Sequence, residues 1–278
     1  MRYELMHPAD QLVAIMHRIY AAGLTTMSGG NLSIREPDGS VWVTPGGIDK
    51  GALNRQDMVC LKPDGSQIGF RKPTSELLVH QAIYQARPGL KAVLHAHSPA
   101  LMTFSILGQL PALNLIPNVR LTCDRIAMAP YARMGSAKLA ENIAYEFRKG
   151  CAVVMLENHG ICIGAASISE AYLIFETLEY AARSELLARR LGPLNVLSED
   201  QIDLARTRDH SRMSDFRPRH HSSEELALRR DMVAIIQRSI QQQLFTSSNG
   251  SISVRLSDGS FLITPFGRDR RQIHEENL

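Results

Sequence analysis

Two short apolar runs, each ending in histidine, constrain this chain more than any other feature. Ala92-Val93-Leu94 leads into His95-Ala96-His97, and Cys151 to Leu156 leads into Glu157-Asn158-His159-Gly160. Runs of this kind read as buried strands. Side chains at i and i+2 on a strand share a face, so the imidazoles of His95 and His97 converge on one spot. Three imidazoles at strand ends, with one position left open, describe a catalytic metal site. Zinc is the favoured ion, although neutral imidazole also suits other divalent metals. The plain alternative is a set of hydrogen-bonded core histidines, because spacing alone does not bring His159 to the pair.

The rest of the pattern mixes helices with strands. Leu12, Ile15, Met16, Ile19 and Tyr20 form a helical stripe over Ala9 to Ala22, closed by Gly23. Leu32 to Arg35, Pro37-Asp38-Gly39-Ser40 and Val41 to Thr44 read as strand, turn, strand, and Asp57 to Leu61 as a further strand. Pro73-Thr74-Ser75-Glu76 is expected to open a helix through Arg87, capped by a hydroxyl residue. Gly135 to Lys149 reads as helix, Ile161 to Ile163 as strand, and Ser167 to Leu191 as a long helix closed by Gly192-Pro193. This alternation favours a layered α/β or α+β domain.

Composition excludes several classes. A formal net charge of +3 over 278 residues, without a Lys/Arg run interleaved with aromatics, does not suggest a nucleic-acid surface. No apolar run reaches the ~18–20 residues that cross a bilayer, and the first residues show no signal-peptide core. Cys60, Cys123, Cys151 and Cys162 are scattered and form no Cys-x-x-Cys pair, which suits reduced thiols and a cytoplasmic enzyme.

Glu76 admits two readings. One is a capping-box or first-turn carboxylate, the other a carboxylate beside the metal that moves a substrate proton. Three short loops can hold a phosphate: Ser28-Gly29-Gly30-Asn31, Thr44-Pro45-Gly46-Gly47 and Thr74-Ser75. Small residues allow close approach, and hydroxyls with free N–H groups suit oxyanions. Such loops are also ordinary turns. His17, His80 and the His220-His221 pair lack site spacing and read as surface or core.

In order along the chain, Ser28-Gly29-Gly30-Asn31-Leu32-Ser33, Thr44-Pro45-Gly46-Gly47, Pro73-Thr74-Ser75-Glu76, His95-Ala96-His97-Ser98, Ala129-Pro130-Tyr131 with Gly135, and Asn158-His159-Gly160 resemble the motifs of the class II aldolase/adducin family. The likeness runs from about His7 to Leu191. It implies an α/β fold, a three-layer α/β/α sandwich around a largely antiparallel sheet. It implies a homotetramer with active sites at subunit interfaces and a small sugar phosphate as substrate. His95, His97 and His159 match the zinc ligands and Glu76 the acid/base. Ser28, Gly30, Asn31, Thr44, Gly46, Thr74 and Ser75 fall where the family binds phosphate. The metal would act as a Lewis acid on a carbonyl and its neighbouring hydroxyl, with Glu76 exchanging a proton at carbon through an enediolate. Aldol cleavage, epimerisation, dehydration and decarboxylation share such intermediates, so fold and ligands do not choose among them. An adducin-like scaffold without catalysis is a further branch, against which the retained histidines and Glu76 argue.

Two departures stand out. In the fuculose-phosphate branch a tyrosine from the neighbouring subunit exchanges a proton with the aldehyde oxygen. This chain has no tyrosine between Leu101 and Pro130, where Asn118, Arg120 and Asp124 stand instead. Arg120 reads either as a solvated arginine or as a contact for an acidic substrate group. The second departure is an internal repeat at a constant offset of 220 residues: Val13-Ala14-Ile15 recurs at Val233, Ser33-Ile34-Arg35 is matched by Ser253-Val254-Arg255, Asp38-Gly39-Ser40 recurs at Asp258 and Thr44-Pro45 at Thr264. The copy stops at Leu278, against Met58, so it lacks counterparts of Glu76 and all three histidines. Ser251 stands for Asn31 and Phe266 for Gly46. The expected organisation is a domain over residues 1–195, a linker or extended segment over 196–223, and a truncated, non-catalytic second copy over 224–278.

Overall fold

In the computed structural model, which describes residues 3–207 and 220–278, the chain up to Arg206 forms one unit and Thr207–Leu278 another. The first unit runs α1 (Pro8–Ala21), β1 (Asn31–Arg35), β2 (Val41–Val43), β3 (Val59–Leu61), β4 (Gln67–Ile68), α2 (Leu77–Ala86), β5 (Ala92–Ala96), α3 (Pro99–Ile106), α4 (Pro117–Thr122), β6 (Ile126–Ala129), α5 (Ala137–Arg148), β7 (Val153–Leu156), β8 (Gly160–Ala165), α6 (Ile168–Ala188) and α7 (Glu199–Arg206). Eight strands form one sheet in the order β4-β3-β2-β1-β5-β8-β7-β6. Every pairing is antiparallel except β6 with β7.

Alternation along the central strands sorts side chains onto two faces. Ala92, Leu94 and Ala96 of β5, with Val153 and Met155 of β7 and Ile161 and Ile163 of β8, pack under α1, α3 and α6. Val93, Val154, Leu156 and Cys162 point the other way, under α2 and α5. The result is the expected three-layer α/β/α sandwich. Leu94, Val153 and Ile163 are fully buried. Each such side chain contributes about 1.5–3 kcal/mol, so this central layer is a firm platform for the strand ends that carry histidine.

Several local features differ from the sequence expectation. The helix expected from Pro73 begins at Leu77, with Glu76 as N-cap and no side-chain capping bond. Thr74 Oγ1 instead accepts from the Glu76 N–H at 3.3 Å. α3, α4 and β6 fall where no period stood out. The stretch expected as linker carries α7, whose Ile202 is fully buried, and Arg206 pairs with Asp124 at 2.8 Å. One buried apolar residue per two turns gives too weak a stripe to read. Arg217-Pro218-Arg219 lies outside the described residues. All four cysteines are buried and free, and among the described residues no helix is long and apolar enough to cross a membrane.

The second unit contains α8 (Ser223–Gln241), β9 (Ser253–Arg255) and β10 (Phe261–Ile263), with Ile236, Ile240 and Ile273 as a small core. Its hairpin repeats the hydrogen bonds of β1–β2. Leu32 N donates to Thr44 Oγ1 at 3.1 Å, and Ile252 N to Thr264 Oγ1 at 3.2 Å. Lys50 Nζ donates to Pro45 O at 2.7 Å, and Arg270 Nη1 to Pro265 O at 2.9 Å. Lys50 is 1% exposed, and burial lowers its ammonium to about 8.

Candidate active site

The site forms where β5 and the β7–β8 hairpin end against the start of α2. His95 lies on β5 and His97 directly follows its last residue, Ala96. The chain then turns into α3, whose opening N–H groups lack partners in the helix itself. Glu179, a buried carboxylate on α6, accepts from Ser98 Oγ at 2.7 Å, Ala100 N at 3.2 Å and Leu101 N at 3.1 Å. That clamp fixes the backbone directly after His97.

His159 sits at the tip of the β7–β8 hairpin. Asn158 takes φ +56°, the left-handed conformation that asparagine tolerates best among residues with a side chain. The His159 N–H donates to Ser105 Oγ at 3.0 Å, and the Ser105 hydroxyl donates to Leu156 O. Gly160 follows because nothing larger fits: a Cβ there would lie 2.5 Å from Ala96 O and 2.8 Å from His97 Cδ2. The pairing of Ala96 with Ile161 then holds His159 beside the His-x-His pair. Ring centroids lie 4.6 Å apart for His95 and His97, 4.9 Å for His95 and His159, and 5.1 Å for His97 and His159.

Glu76 turns its side chain into this cluster. Its Oε2 lies 3.0 Å from His95 Nε2 and its Oε1 3.4 Å from His159 Nε2. His95 Nδ1 donates to Ile161 O at 3.0 Å, which leaves the Nε2 lone pair facing the cluster. The Nε2 atoms of His95, His97 and His159 are all buried and none makes a hydrogen bond, even the one nearest Glu76. Buried polar atoms are rarely left so. One ligand atom from each of Glu76, His95, His97 and His159 falls within 4.8 Å of the others. A divalent cation satisfies all of these atoms together, so the residues present fit a metal.

The electrostatics agree. Burial and the neighbouring His95 push His97 down to about 3, and the same two causes push His159 down to about 4, which favours the neutral form that binds metal. Burial opposes the charge on Glu76. The imidazoles of His95 and His159 and the Asn31 amide outweigh it and hold the carboxyl well below its usual range. For His95 burial acts downward, and the Glu76 carboxylate outweighs it upward. A cation on the cluster would replace that proton.

The three expected phosphate loops lie around this centre. Asn31 Nδ2 donates to Glu76 Oε2 at 2.9 Å. Gly30 has φ +71°, and a Cβ there would stand 2.9 Å from His95 O, so the loop before β1 runs against β5. Pro45 and Pro73 form a bridge and Thr74 N donates to Thr44 O at 3.2 Å, which puts the second and third loops side by side. Gly46 and Ser75 are exposed there, with Thr74 buried behind them. Thr44 is fully buried and accepts from Leu32 N, so its side chain braces the loop. Ser28 lies exposed at the start of its loop. Tyr131 is exposed. Arg120 donates to Asp124 O at 2.6 Å and to Glu199 Oε2 at 3.0 Å, structural ties that occupy its guanidinium.

His80, which lacked site spacing and read as surface or core, is fully buried and touches the site: its Nε2 meets Asn31 Oδ1 at 2.5 Å. It stands four residues after Glu76, on the same side of α2, and that i,i+4 relation was the available signal. Glu179 and Lys50 gave no comparable signal.

Known proteins resemble the chain throughout this region. The family model described as Class II Aldolase and Adducin N-terminal domain matches residues 10–186 and again 230–278. The 5-deoxy-D-ribulose 1-phosphate aldolase of Bacillus thuringiensis serovar kurstaki is 34% identical over 207 residues, covering 72% of this chain and 93% of that protein. The 3-oxo-tetronate 4-phosphate decarboxylase of Escherichia coli K12 is 33% identical over 178 residues, covering 63% of this chain and 84% of that protein. Among solved structures, an L-fuculose 1-phosphate aldolase superposes with a TM-score of 0.63 at 31% identity, covering 71% of this chain and 93% of the other.

Proposed function

Because the chain belongs to the class II aldolase and adducin family, we propose that it is a divalent-metal-dependent carbon–carbon lyase acting on a small phosphorylated sugar. The observation that carries this is the set of three buried, unbonded imidazole Nε2 atoms gathered with the Glu76 carboxylate. His95, His97 and His159 would hold the ion, and zinc is the metal that three imidazoles and one open position favour. Bound there, it would supply Lewis acidity to a substrate carbonyl and the adjacent hydroxyl.

The residues divide the remaining work. The loops at Ser28–Asn31, Thr44–Gly46 and Thr74–Ser75 hold the phosphate and so fix which carbon stands at Glu76. When the carbon–carbon bond breaks, the Glu76 carboxylate takes up the proton that the substrate hydroxyl loses in becoming the aldehyde and delivers it to the carbon left behind; in the reverse direction the proton moves the other way. Burial of the carboxylate keeps bulk water from competing for it. A homotetramer with interfacial sites and a reducing, cytoplasmic setting accompany this reading, the latter supported by the four free cysteines. The intact cluster favours an enzyme over a scaffold, since a scaffold has no use for orphaned imidazoles.

A second reaction at the same site has specific support. Loss of carbon dioxide from a 3-oxo acid phosphate also ends with Glu76 protonating carbon, but it forms no aldehyde and needs no proton exchange at an aldehyde oxygen. The absence of tyrosine between Leu101 and Pro130, together with the decarboxylase relative, favours it for an acidic substrate. One experiment tests both. Metal content is measured on the purified protein, which is then incubated with a panel of ketose 1-phosphates and 3-oxo acid phosphates, and products are weighed by mass spectrometry. Aldehyde plus a three-carbon ketose phosphate identifies the aldolase, and loss of carbon dioxide the decarboxylase. A protein that neither holds nor can be reconstituted with a divalent ion defeats the catalytic reading.

A further inference from the structure

Behind Glu76 runs a line of buried hydrogen bonds from one side chain to the next. Asn31 Nδ2 lies 2.9 Å from Glu76 Oε2, and Asn31 Oδ1 lies 2.5 Å from His80 Nε2. On the far side of the ring, His80 Nδ1 lies 2.6 Å from Ser33 Oγ, which lies 2.8 Å from Tyr84 Oη. Ser33 and His80 are fully buried and Tyr84 is 4% exposed.

Donor counting fixes the direction of every bond. A carboxylate only accepts, so Asn31 meets Glu76 with its NH2 group. Its carbonyl therefore faces His80, and a carbonyl also only accepts, so the His80 proton is on Nε2. A neutral imidazole carries one N–H, which makes Nδ1 the acceptor of the Ser33 hydroxyl. Ser33, its hydrogen spent, accepts from the Tyr84 hydroxyl. Burial keeps the imidazole neutral, pushing His80 down to about 3. All the donors thus point toward the site.

We infer that His80 is a positioning residue that makes Asn31 a donor-only group and thereby sets the site's preference for an anionic, phosphorylated substrate. An asparagine amide is otherwise free to present either end. With its carbonyl held by His80, one Asn31 hydrogen goes to Glu76 and the other is left for a substrate oxyanion. A flipped amide would aim its oxygen at both the Glu76 carboxylate and the phosphate. The inference rests on the phosphate-loop reading above. It goes further in giving the selectivity to a residue that touches neither metal nor substrate.

The test uses the full chain, metal-loaded, as wild type, His80→Leu, His80→Gln and Ser33→Ala. Glutamine keeps an N–H donor near the Nε2 position, and leucine removes it. Inorganic phosphate is titrated by calorimetry, KM and kcat are measured on whichever phosphorylated compound the panel identifies, and denaturation midpoints monitor folding. The expected result for His80→Leu is a Kd for phosphate and a KM raised about tenfold, with kcat less affected, and recovery of most of the loss in His80→Gln. A purely structural histidine would lower the midpoint and leave KM alone. Folded His80→Leu with unchanged Kd and KM overturns the inference, as does equal loss in the leucine and glutamine variants. Should the leucine variant not fold, Ser33→Ala carries the test, because it frees the imidazole to place its proton on Nδ1; wild-type affinity in that variant overturns the inference as well. A wild type that neither binds phosphate nor turns over any member of the panel defeats the phosphate reading itself, and the inference with it.

Discussion

His95 on β5 stands directly across from Asn31 on β1, and the two side chains leave the same face of the sheet. One strand pair therefore brings a candidate metal ligand and a candidate phosphate ligand to within a residue's width. Asn31→Ala removes the N–H that the Glu76 carboxylate accepts. A hydrogen bond to a charged group is worth about 1.5–3 kcal/mol, so kcat/KM should fall roughly 10–100-fold. Steady-state kinetics beside elemental analysis checks this, with metal content expected to stay at the wild-type level.

Metal content should respond to the histidines. His97→Ala removes one of three imidazoles, and the ion per chain should drop well below stoichiometric after dialysis. Chelation of the wild type should abolish turnover and lower the melting temperature, since an ion that binds only the folded state stabilises it. Re-addition of zinc or another divalent metal should restore both.

Gly160→Ala is expected to destabilise the chain by about 1–3 kcal/mol, because its Cβ would sit 2.5 Å from the backbone oxygen of Ala96. Relief requires β8 to move away from β5, which carries His159 away from His95. Denaturant unfolding measures the first effect and metal affinity the second.

Glu179→Ala strips the buried acceptor from Ser98, Ala100 and Leu101. The loss should be roughly 2–4 kcal/mol of stability, as buried donors are left unsatisfied. Turnover should also fall, although Glu179 is not in the histidine cluster, because the turn after His97 loses its anchor. Urea midpoints and kinetics on the same preparation separate the two.

Acid should weaken the fold partly through His80. Burial depresses it to about 3 from an ordinary 6.5. In the unfolded chain it takes up a proton below pH ~6.5, whereas in the folded chain it stays neutral until much lower. Its contribution is therefore complete above pH ~6.5 and is lost as the pH falls from there toward 3. His80→Gln cannot titrate, so its stability should depend on pH less steeply, by up to one proton, between pH 6 and 4. Urea unfolding of both proteins across that window supplies the difference.

The elements that the sequence discloses are those whose period is carried by many residues. The stripe from Leu12 to Ile19, the apolar runs of β5 and β7 and the long α6 are of this kind. α3 is apolar nearly all round, Pro-Ala-Leu-Met-Thr-Phe-Ser-Ile, so it has no stripe to detect. At the site, the shared face of His95 and His97 follows from strand geometry alone. The approach of His159 depends on the register of β5 against β8, a long-range pairing that no local pattern encodes. The motifs supplied the candidate ligands, while the support from Glu179 and His80 rests on how α6 and α2 pack over the strand ends.

The duplicated hairpin suggests how such a fold divides its inheritance. Lys50 and Arg270 brace their loops from matching positions, and Thr44 and Thr264 tie their strands in the same way. What the copy keeps is therefore scaffolding, specified by a few buried polar ties. Glu76 and the candidate metal ligands stand after Met58, whereas Asn31 and Thr44, candidate phosphate ligands, stand within the segment that is duplicated. Within the duplicated hairpin the buried ties recur while Ser251 stands for Asn31 and Phe266 for Gly46, so one frame of strands carries different residues at its loop tips.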